Sequence, residues 1–142
     1  MASDFTIRLG ELADHPMVFK TTAVACRWCP YYTDLDRKAY SNMINEVVGT
    51  MLTRWTLIVA FVTKVPSESA GYVLFKPGVA LGTIFVKPDY RRRGVGRMLL
   101  ETARLRQFPT VLASPRALRL AREKGLHVQF SPYFGILEGA NG

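Results

Sequence analysis

Three consecutive arginines and two glycines follow an apolar run in the second half of the chain. Leu81–Val86 is apolar and rich in β-branched residues, Lys87-Pro88-Asp89 ends it, and RRRGVGR follows at 91–97, with helical apolar spacing from Val95 onward. Gly94 and Gly96 permit a sharp turn with inward-pointing N–H groups. The start of a helix adds partial positive charge to that of the arginines. The segment predicts a strand, a tight loop for a phosphorylated ligand, and a helix.

The spacing of the loop separates it from two common phosphate-binding patterns. No Lys-Ser or Lys-Thr follows the glycines, as the Walker pattern requires, and the dinucleotide pattern GxGxxG would need a glycine before the arginines. An arginine-glycine run alone is typical of a solvated turn, but here a strand precedes it and an amphipathic helix follows. The pattern R-x-x-G-x-G after V-x-P-x-Y resembles the pyrophosphate loop of the GNAT acyltransferases, which bind acetyl-coenzyme A. This resemblance implies cofactor contacts from Arg91, Arg92, Arg93, Gly94, Val95, Gly96 and Arg97.

Periodicity along the chain predicts one α/β domain over residues 1–142. Strands are expected at 4–9, 55–62, 71–75, 81–87, 109–113, 127–130 and 134–137. Helices are expected at 33–54, capped by Thr33 or Asp34, at 95–106 and at 114–124, and residues 64–70 are expected to form a loop. Residues 10–32 have a mixed pattern. The order β-α-α-β-β-β-α-β-α-β-β around a mixed central sheet is that of the GNAT fold.

The resemblance continues on the expected helix 114–124. GNAT proteins commonly carry N-x-x-A-x-x-x-Y-x-x-x-G-F there, and this chain keeps Ala117, Gly125 and Leu126 in register. Two functional positions differ: Ser114 replaces the asparagine that contacts the pantetheine arm, and Ala121 replaces the tyrosine that protonates the departing thiolate. The small size and the ending F-S-P-Y-F also resemble GNAT-like proteins encoded by bacteriophages.

Acetyl transfer to an amine requires placement of the amine, a proton acceptor and stabilisation of an oxyanion. The resemblance implies that the backbone of Phe85 and Val86 holds the pantetheine. Strand 81–86 lacks the Asp, Glu or His that many GNAT proteins carry there. Candidate catalytic side chains are therefore drawn from elsewhere in the chain, and each also has a purely structural interpretation: Glu46, Ser114, His127 and Tyr133. A chain of water molecules could replace a side-chain base.

The net charge of +8 is concentrated around the predicted loop. Between Lys87 and Lys124 lie eleven Lys and Arg residues against three acidic ones, so the remainder of the chain is balanced. Coenzyme A, with its pyrophosphate and 3′-phosphate, accounts for part of this charge. The rest is interpreted as a solvated helix face, with an acidic protein or nucleic acid as the alternative partner.

The two cysteines, Cys26 and Cys29, form C-R-W-C-P. Zinc would need two further ligands, and the spacing of His15 and His127 suggests no site, so no metal is expected. The favoured interpretation is a pair of reduced thiols beside a core Trp28 rather than a redox pair. No segment is an apolar span of about 18 residues, and the N-terminus lacks the layout of a signal peptide, so a cytoplasmic protein without a membrane partner is expected.

Three hypotheses follow for the function. The first is an acetyl-CoA-dependent N-acetyltransferase with an unidentified amine acceptor. The second is a catalytically weak or inactive GNAT scaffold that acts by binding a host or partner protein, which Ser114 and Ala121 favour. The third is a role directed at nucleic acid, which the basic half of the chain suggests.

Overall fold

The computed structural model describes residues 4–27, 32–104, 107–110, 119, 122–123 and 127–130. Its strands are β1 (Phe5–Leu9), β2 (Thr56–Val62), β3 (Val65–Lys76), β4 (Ala80–Val86), β5 (Gln107–Thr110) and β6 (His127–Phe130). Its α-helices are α1 (His15–Cys26), α2 (Arg37–Arg54) and α3 (Val95–Ala103). Short 3-10 turns at Leu12–Asp14 and Pro88–Tyr90 precede α1 and the predicted loop.

The strands form one six-stranded sheet in the spatial order β1-β2-β3-β4-β5-β6. The first four strands are antiparallel neighbours, whereas β5 runs parallel to β4 and β6 parallel to β5. This is the α/β architecture with a mixed sheet that the sequence predicts. The described elements do not reproduce the full predicted order. Of the expected helix 114–124 only residues 119 and 122–123 are described, and they are helical, whereas the expected strand 134–137 lies outside the described residues.

Several predicted boundaries are corrected by local contacts. Helix α2 begins at Arg37, because the Asp36 carboxylate accepts a hydrogen bond of 2.7 Å from the Ala39 N–H. The predicted loop 64–70 is wrong: Thr63 and Lys64 make the turn, and β3 already begins at Val65. Shifts in the β2–β3 register accommodate the chain there. Helix α3 ends at Ala103, and the left-handed Arg104 that follows it donates its N–H to the last helical turn.

The sheet separates two hydrophobic layers. On one face, α1 and α2 pack on the sheet through a cluster that includes Val18, Ile44, Val48, Tyr72 and Leu74. On the other face, Val95, Leu99 and Ala103 of α3 pack on Ile58, Val73 and Phe75. Cys26 is buried in the first layer. Trp28, which the sequence predicts to be a core residue, and Cys29 lie outside the described residues. The two layers hold β4 and α3, on either side of the predicted loop, in a fixed relation.

An ion pair joins the end of β1 to the turn before α1. Both guanidinium nitrogens of Arg8 donate to the Asp14 carboxylate at 2.7 Å, and the Glu11 N–H donates to the same carboxylate at 2.8 Å. Asp14 is only 8% exposed. The hydrogen bond from Arg8 lowers the pKa of Asp14, with the Glu11 N–H acting in the same direction against the effect of burial. The charged carboxylate is therefore part of the folded structure.

We expect Asp14→Asn to lower the free energy of unfolding by about 1–3 kcal/mol near neutral pH, because a charge-assisted bidentate contact is lost. The pKa of Asp14 is lower in the folded chain than the ordinary value of about 3.9. Its contribution is thus fully present above that value and disappears as the pH falls through the folded pKa. Urea denaturation as a function of pH measures this, with Asp34→Asn at an exposed position as control. Equal losses in the two variants would contradict the expectation.

Candidate functional site

The backbone of the arginine-glycine loop alternates in handedness. Arg92 has φ +63° and Gly94 has φ +86°, both left-handed, whereas Arg93 between them has negative φ and Val95 begins α3. Such alternation turns successive N–H groups toward one side and forms an anion-binding concavity. A left-handed conformation is ordinary for glycine but costs an arginine about 1 kcal/mol. The strained Arg92 indicates that the shape of this loop is set by more than local preference.

The beginning of α3 adds to this concavity. The first intrahelical hydrogen bond runs from the Met98 N–H to the Gly94 oxygen at 3.0 Å, so the N–H groups of the preceding three residues have no acceptor within the helix. Gly94 has no side chain to cap them. At Gly96 an added Cβ would lie 3.7 Å from a methyl group of Val86, so the helix start packs closely on the end of β4. The loop therefore presents donors at the point where β4 ends.

Strand β4 carries an irregularity at Gly82. Thr83 pairs with Leu74 and Leu81 pairs with Phe75, which leaves Gly82 as an extra residue in β4. On its other side β4 pairs with β5 only at Leu81, opposite Thr110, and no described residue pairs with 82–86 there. Bulges increase the local twist of a strand. The second half of β4 thus has an edge that no described strand covers.

The hydrogen bonds of β3 decide which backbone groups of β4 face this edge. The Lys87 N–H donates to the Ala70 oxygen at 2.8 Å, so the groups of Lys87 point toward β3. Since antiparallel strands alternate, the N–H and C=O of Val86 and Ile84 point to the uncovered edge, whereas those of Phe85 point to β3. The Val86 oxygen accepts a hydrogen bond of 2.9 Å from the Arg91 Nε. Ile84, which sequence reasoning did not select, therefore shares the edge with Val86.

The four arginines of the loop have different surroundings. Arg91 folds back on the end of β4, where its guanidinium lies 5.8 Å from the Phe85 ring centre. Arg93 lies near Asp4, Phe5 and Tyr90, all outside the loop. Arg97 is exposed and lies 3.7 Å from Glu101 on the same helix. Arg92 is exposed and makes no hydrogen bond or ion pair with any residue that the structure describes. Arg92, Arg93 and Arg97 are all exposed, but only Arg93 contacts described residues outside the loop and α3.

The candidate catalytic side chains are not brought together in the described residues. Glu46 is exposed on α2. His127 begins β6, and only its backbone is described. Ser114 and Tyr133 lie outside the described residues. The structure thus describes no contact between any of these four and the edge of β4.

A buried group of hydroxyls behind β4 was not anticipated from the sequence. The Tyr72 hydroxyl lies 2.7 Å from that of Thr21 and 3.0 Å from that of Thr22, and Thr83 is buried close by. Burial raises the pKa of Tyr72, which keeps the phenol neutral. Thr21 donates its only proton to the Met17 oxygen at 2.7 Å, so Tyr72 donates to Thr21. The Tyr72 hydroxyl also lies 3.5 Å from the Val18 carbonyl oxygen, so among the described residues the network ends at backbone carbonyls and contains no carboxylate or imidazole that could take up a proton.

Comparison with known proteins decides the family. The model of the acetyltransferase (GNAT) domain matches residues 45–127, which is more than half of the chain. The chain belongs to the GNAT acetyltransferase family. The matched range contains the part of α2 from Asn45 onward, the whole antiparallel run β2–β4 and the arginine-glycine loop. No curated protein matches the chain in sequence.

Solved structures with the same fold are distant in sequence. A putative acetyl transferase from Pyrococcus furiosus has 17% identity and a TM-score of 0.59, over 89% of this chain and 95% of its own. AAC(6′)-Iy, in complex with the bisubstrate analog CoA-S-monomethyl-acetylneamine, has 16% identity and a TM-score of 0.52, over 88% and 92%. YjaB from Escherichia coli has 21% identity and a TM-score of 0.51, over 72% of this chain and 65% of its own length. These similarities show the GNAT fold.

In the described part of the chain, no group of His, Cys, Asp and Glu side chains is arranged to hold a metal ion. No helix among the described residues is long and apolar enough to cross a membrane.

We expect Gly82→Ala to destabilise the protein by about 1–3 kcal/mol, because the bulge leaves no space for a methyl group. An added Cβ would lie 2.8 Å from the Met51 sulfur and 3.0 Å from the Leu74 carbonyl oxygen. The matched control is Gly49→Ala in α2, where the nearest atom is 3.8 Å away and the change should stabilise the helix by about 0.5–1 kcal/mol. Thermal denaturation of the two variants should give shifts of opposite sign. A stabilising Gly82→Ala would contradict the described bulge.

Proposed function

We propose that this protein is an acetyl-CoA-dependent N-acetyltransferase with an amine acceptor. The observation that carries the proposal is the position of the anion-binding loop directly at the end of the β4 edge that no described strand covers. A phosphate group and an extended amide-containing arm, both present in coenzyme A, fit these two adjacent features. Membership of the GNAT family supports the same assignment.

Each part of the site has a distinct role in this proposal. The N–H groups of Gly94, Val95 and Gly96 bind the pyrophosphate, with Arg92 and Arg97 contributing charge. The backbone of Val86 and Ile84 binds the pantetheine amides along the β4 edge, as an added strand would. Phe85, whose backbone groups point to β3, contributes its side chain, over which Arg91 lies. Acetyl-CoA supplies the thioester whose acetyl group is transferred.

The proton of the attacking amine needs an acceptor outside the described part of β4. Strand β4 carries no Asp, Glu or His, and the hydrogen-bonded hydroxyl network around Tyr72 ends at backbone carbonyls. Water at the open edge therefore takes the proton, or a side chain from the second half of the chain does so, for which His127, Ser114 and Tyr133 remain candidates. Glu46 is the weakest of the four, since it faces solvent on α2.

The acceptor is proposed only as a class. The complex of AAC(6′)-Iy with an acetylneamine analog shows that the GNAT fold accommodates an amine acceptor beside coenzyme A in that protein. For this chain we propose a primary amine. A phage-encoded origin, a cytoplasmic location and binding of nucleic acid stay predictions from the sequence alone.

The proposal is tested by calorimetric titration of acetyl-CoA into wild-type protein and Gly94→Glu. A glutamate at this position opposes the cofactor phosphates by its charge and is strained at φ +86°, so we expect binding to be lost. The matched control is Gly78→Glu, because Gly78 also has positive φ and open space around it but lies at the opposite end of β4. Gly78→Glu should bind as the wild type does.

Two outcomes would overturn the proposal. Unchanged binding by Gly94→Glu would show that the loop does not hold the cofactor, and absence of binding by the wild type would reject the cofactor itself. Binding without release of free thiol in the presence of a panel of primary amines would instead favour the alternative of a scaffold that binds a partner protein. That alternative rests on Ser114, Ala121 and the lack of an acid or a histidine on β4.

A further inference from the structure

Arg93 links the phosphate loop to the first strand of the fold. Its Nη2 lies 3.4 Å from the Asp4 carboxylate, and its guanidinium carbon lies 5.0 Å from the ring centre of Phe5. The same guanidinium lies 5.9 Å from the ring centre of Tyr90. The two rings contact each other edge to face, with centres 5.6 Å apart, and Phe5 is buried. One side chain of the loop is therefore held by an anion and two aromatic rings that are not part of the loop.

Each of these contacts contributes only modestly to stability on its own, the ion pair because it is exposed. Asp4 is 72% exposed and Arg93 is 47% exposed, and exposed ion pairs contribute little to stability. A cation over an aromatic ring adds to this, and a planar guanidinium can stack where an ammonium group cannot. Their combined effect acts on a backbone segment that lies between two left-handed residues, Arg92 and Gly94. The backbone of such a segment has few other conformations of similar energy. A contact from outside the loop can therefore favour the conformation in which the N–H groups converge.

A second contact group fixes the start of the same loop. The Lys87 Nζ lies 3.2 Å from the Glu68 carboxylate, and the Tyr90 hydroxyl donates to the same carboxylate oxygen at 3.4 Å. Lys87 thus has an acidic partner on β3, and Arg93 has one just before β1. Arg92 has no acidic partner among the described residues.

We propose that Arg93 is a positioning residue rather than a phosphate ligand: through Asp4, Phe5 and Tyr90 it holds the loop in the conformation whose N–H groups converge on an anion. Asp4 and Phe5 lie outside the range 45–127 that the family model matches. The first strand of this chain consequently contributes to the cofactor site from 89 positions away in the sequence. This inference rests on the proposed function for its ligand, but its structural part concerns the loop itself.

The test compares two neighbouring arginines by a double-mutant cycle. The affinity for coenzyme A is measured by calorimetry at low and high salt for Arg93→Ala, Asp4→Asn, their double variant, Arg92→Ala and the remote exposed control Arg54→Ala. We expect Arg93→Ala to weaken binding about five- to tenfold and Asp4→Asn about twofold. The double variant should be no weaker than Arg93→Ala, because both changes remove one interaction. Arg93→Lys should recover part of the affinity.

Salt separates a positioning residue from a ligand. Loss of a phosphate-binding charge reduces the salt dependence of binding, because less of the attraction between protein and phosphate remains for salt to screen. We expect this reduction for Arg92→Ala and not for Arg93→Ala. An additive double variant, together with a reduced salt dependence for Arg93→Ala, would overturn the inference and make Arg93 a ligand of the phosphate.

Hydrogen exchange without any ligand keeps the inference testable if the proposed function fails. The backbone amides of residues 91–96 should exchange about three- to tenfold faster in Arg93→Ala than in wild type, and at the wild-type rate in Arg92→Ala and Arg54→Ala. If the wild type does not bind coenzyme A, the proposed function is wrong, and this measurement alone decides whether Arg93 holds the loop. Unchanged exchange in Arg93→Ala would reject the inference.

Discussion

The absence of a side chain at residue 82 is the constraint on which the site depends. At this position a Cβ would lie 2.8 Å from the Met51 sulfur, 3.0 Å from the Leu74 carbonyl oxygen and 3.3 Å from the Trp55 ring, so a side chain would require these neighbours to shift. Here β4 carries one extra residue against β3, next to Leu81, which among the described residues is the one residue of β4 paired with β5. Beyond that point the edge of β4 has no described neighbour. The bulge of β4 thus coincides with a packing contact on the helical side of the sheet.

The loop after β4 depends on contacts from both sides of the sheet. Val95 and Leu99 bury α3 against one face and thereby fix where the helix begins. Arg91 reaches back to the Val86 oxygen, and Arg93 reaches across to Asp4 and Phe5. The arginines of one short run are thus divided between support of the backbone and exposure of charge. From residue type alone, all of these arginines were expected to contact the cofactor, whereas the residues that surround each one in the structure are different.

The charge of the loop and its conformation are separate properties. Net positive charge attracts a polyanion from a distance but does not determine its orientation. The directions of the N–H groups in the loop follow instead from the alternating φ values at Arg92, Arg93 and Gly94.

The sequence by itself determined the strand, glycine loop and helix at 81–103, the α/β class and the GNAT resemblance, because these depend on local periodicity and on glycines that permit positive φ. It did not determine that β3 begins at Val65, since Pro66 and the serines favour a loop until the pairing with β2 is known. Only the tertiary structure decided that the backbone N–H and C=O of Phe85 point toward β3, while those of Ile84 and Val86 point to the edge of β4 that no described strand covers. Only it paired Arg93 with Asp4, because contacts between residues so distant in the chain leave no local pattern.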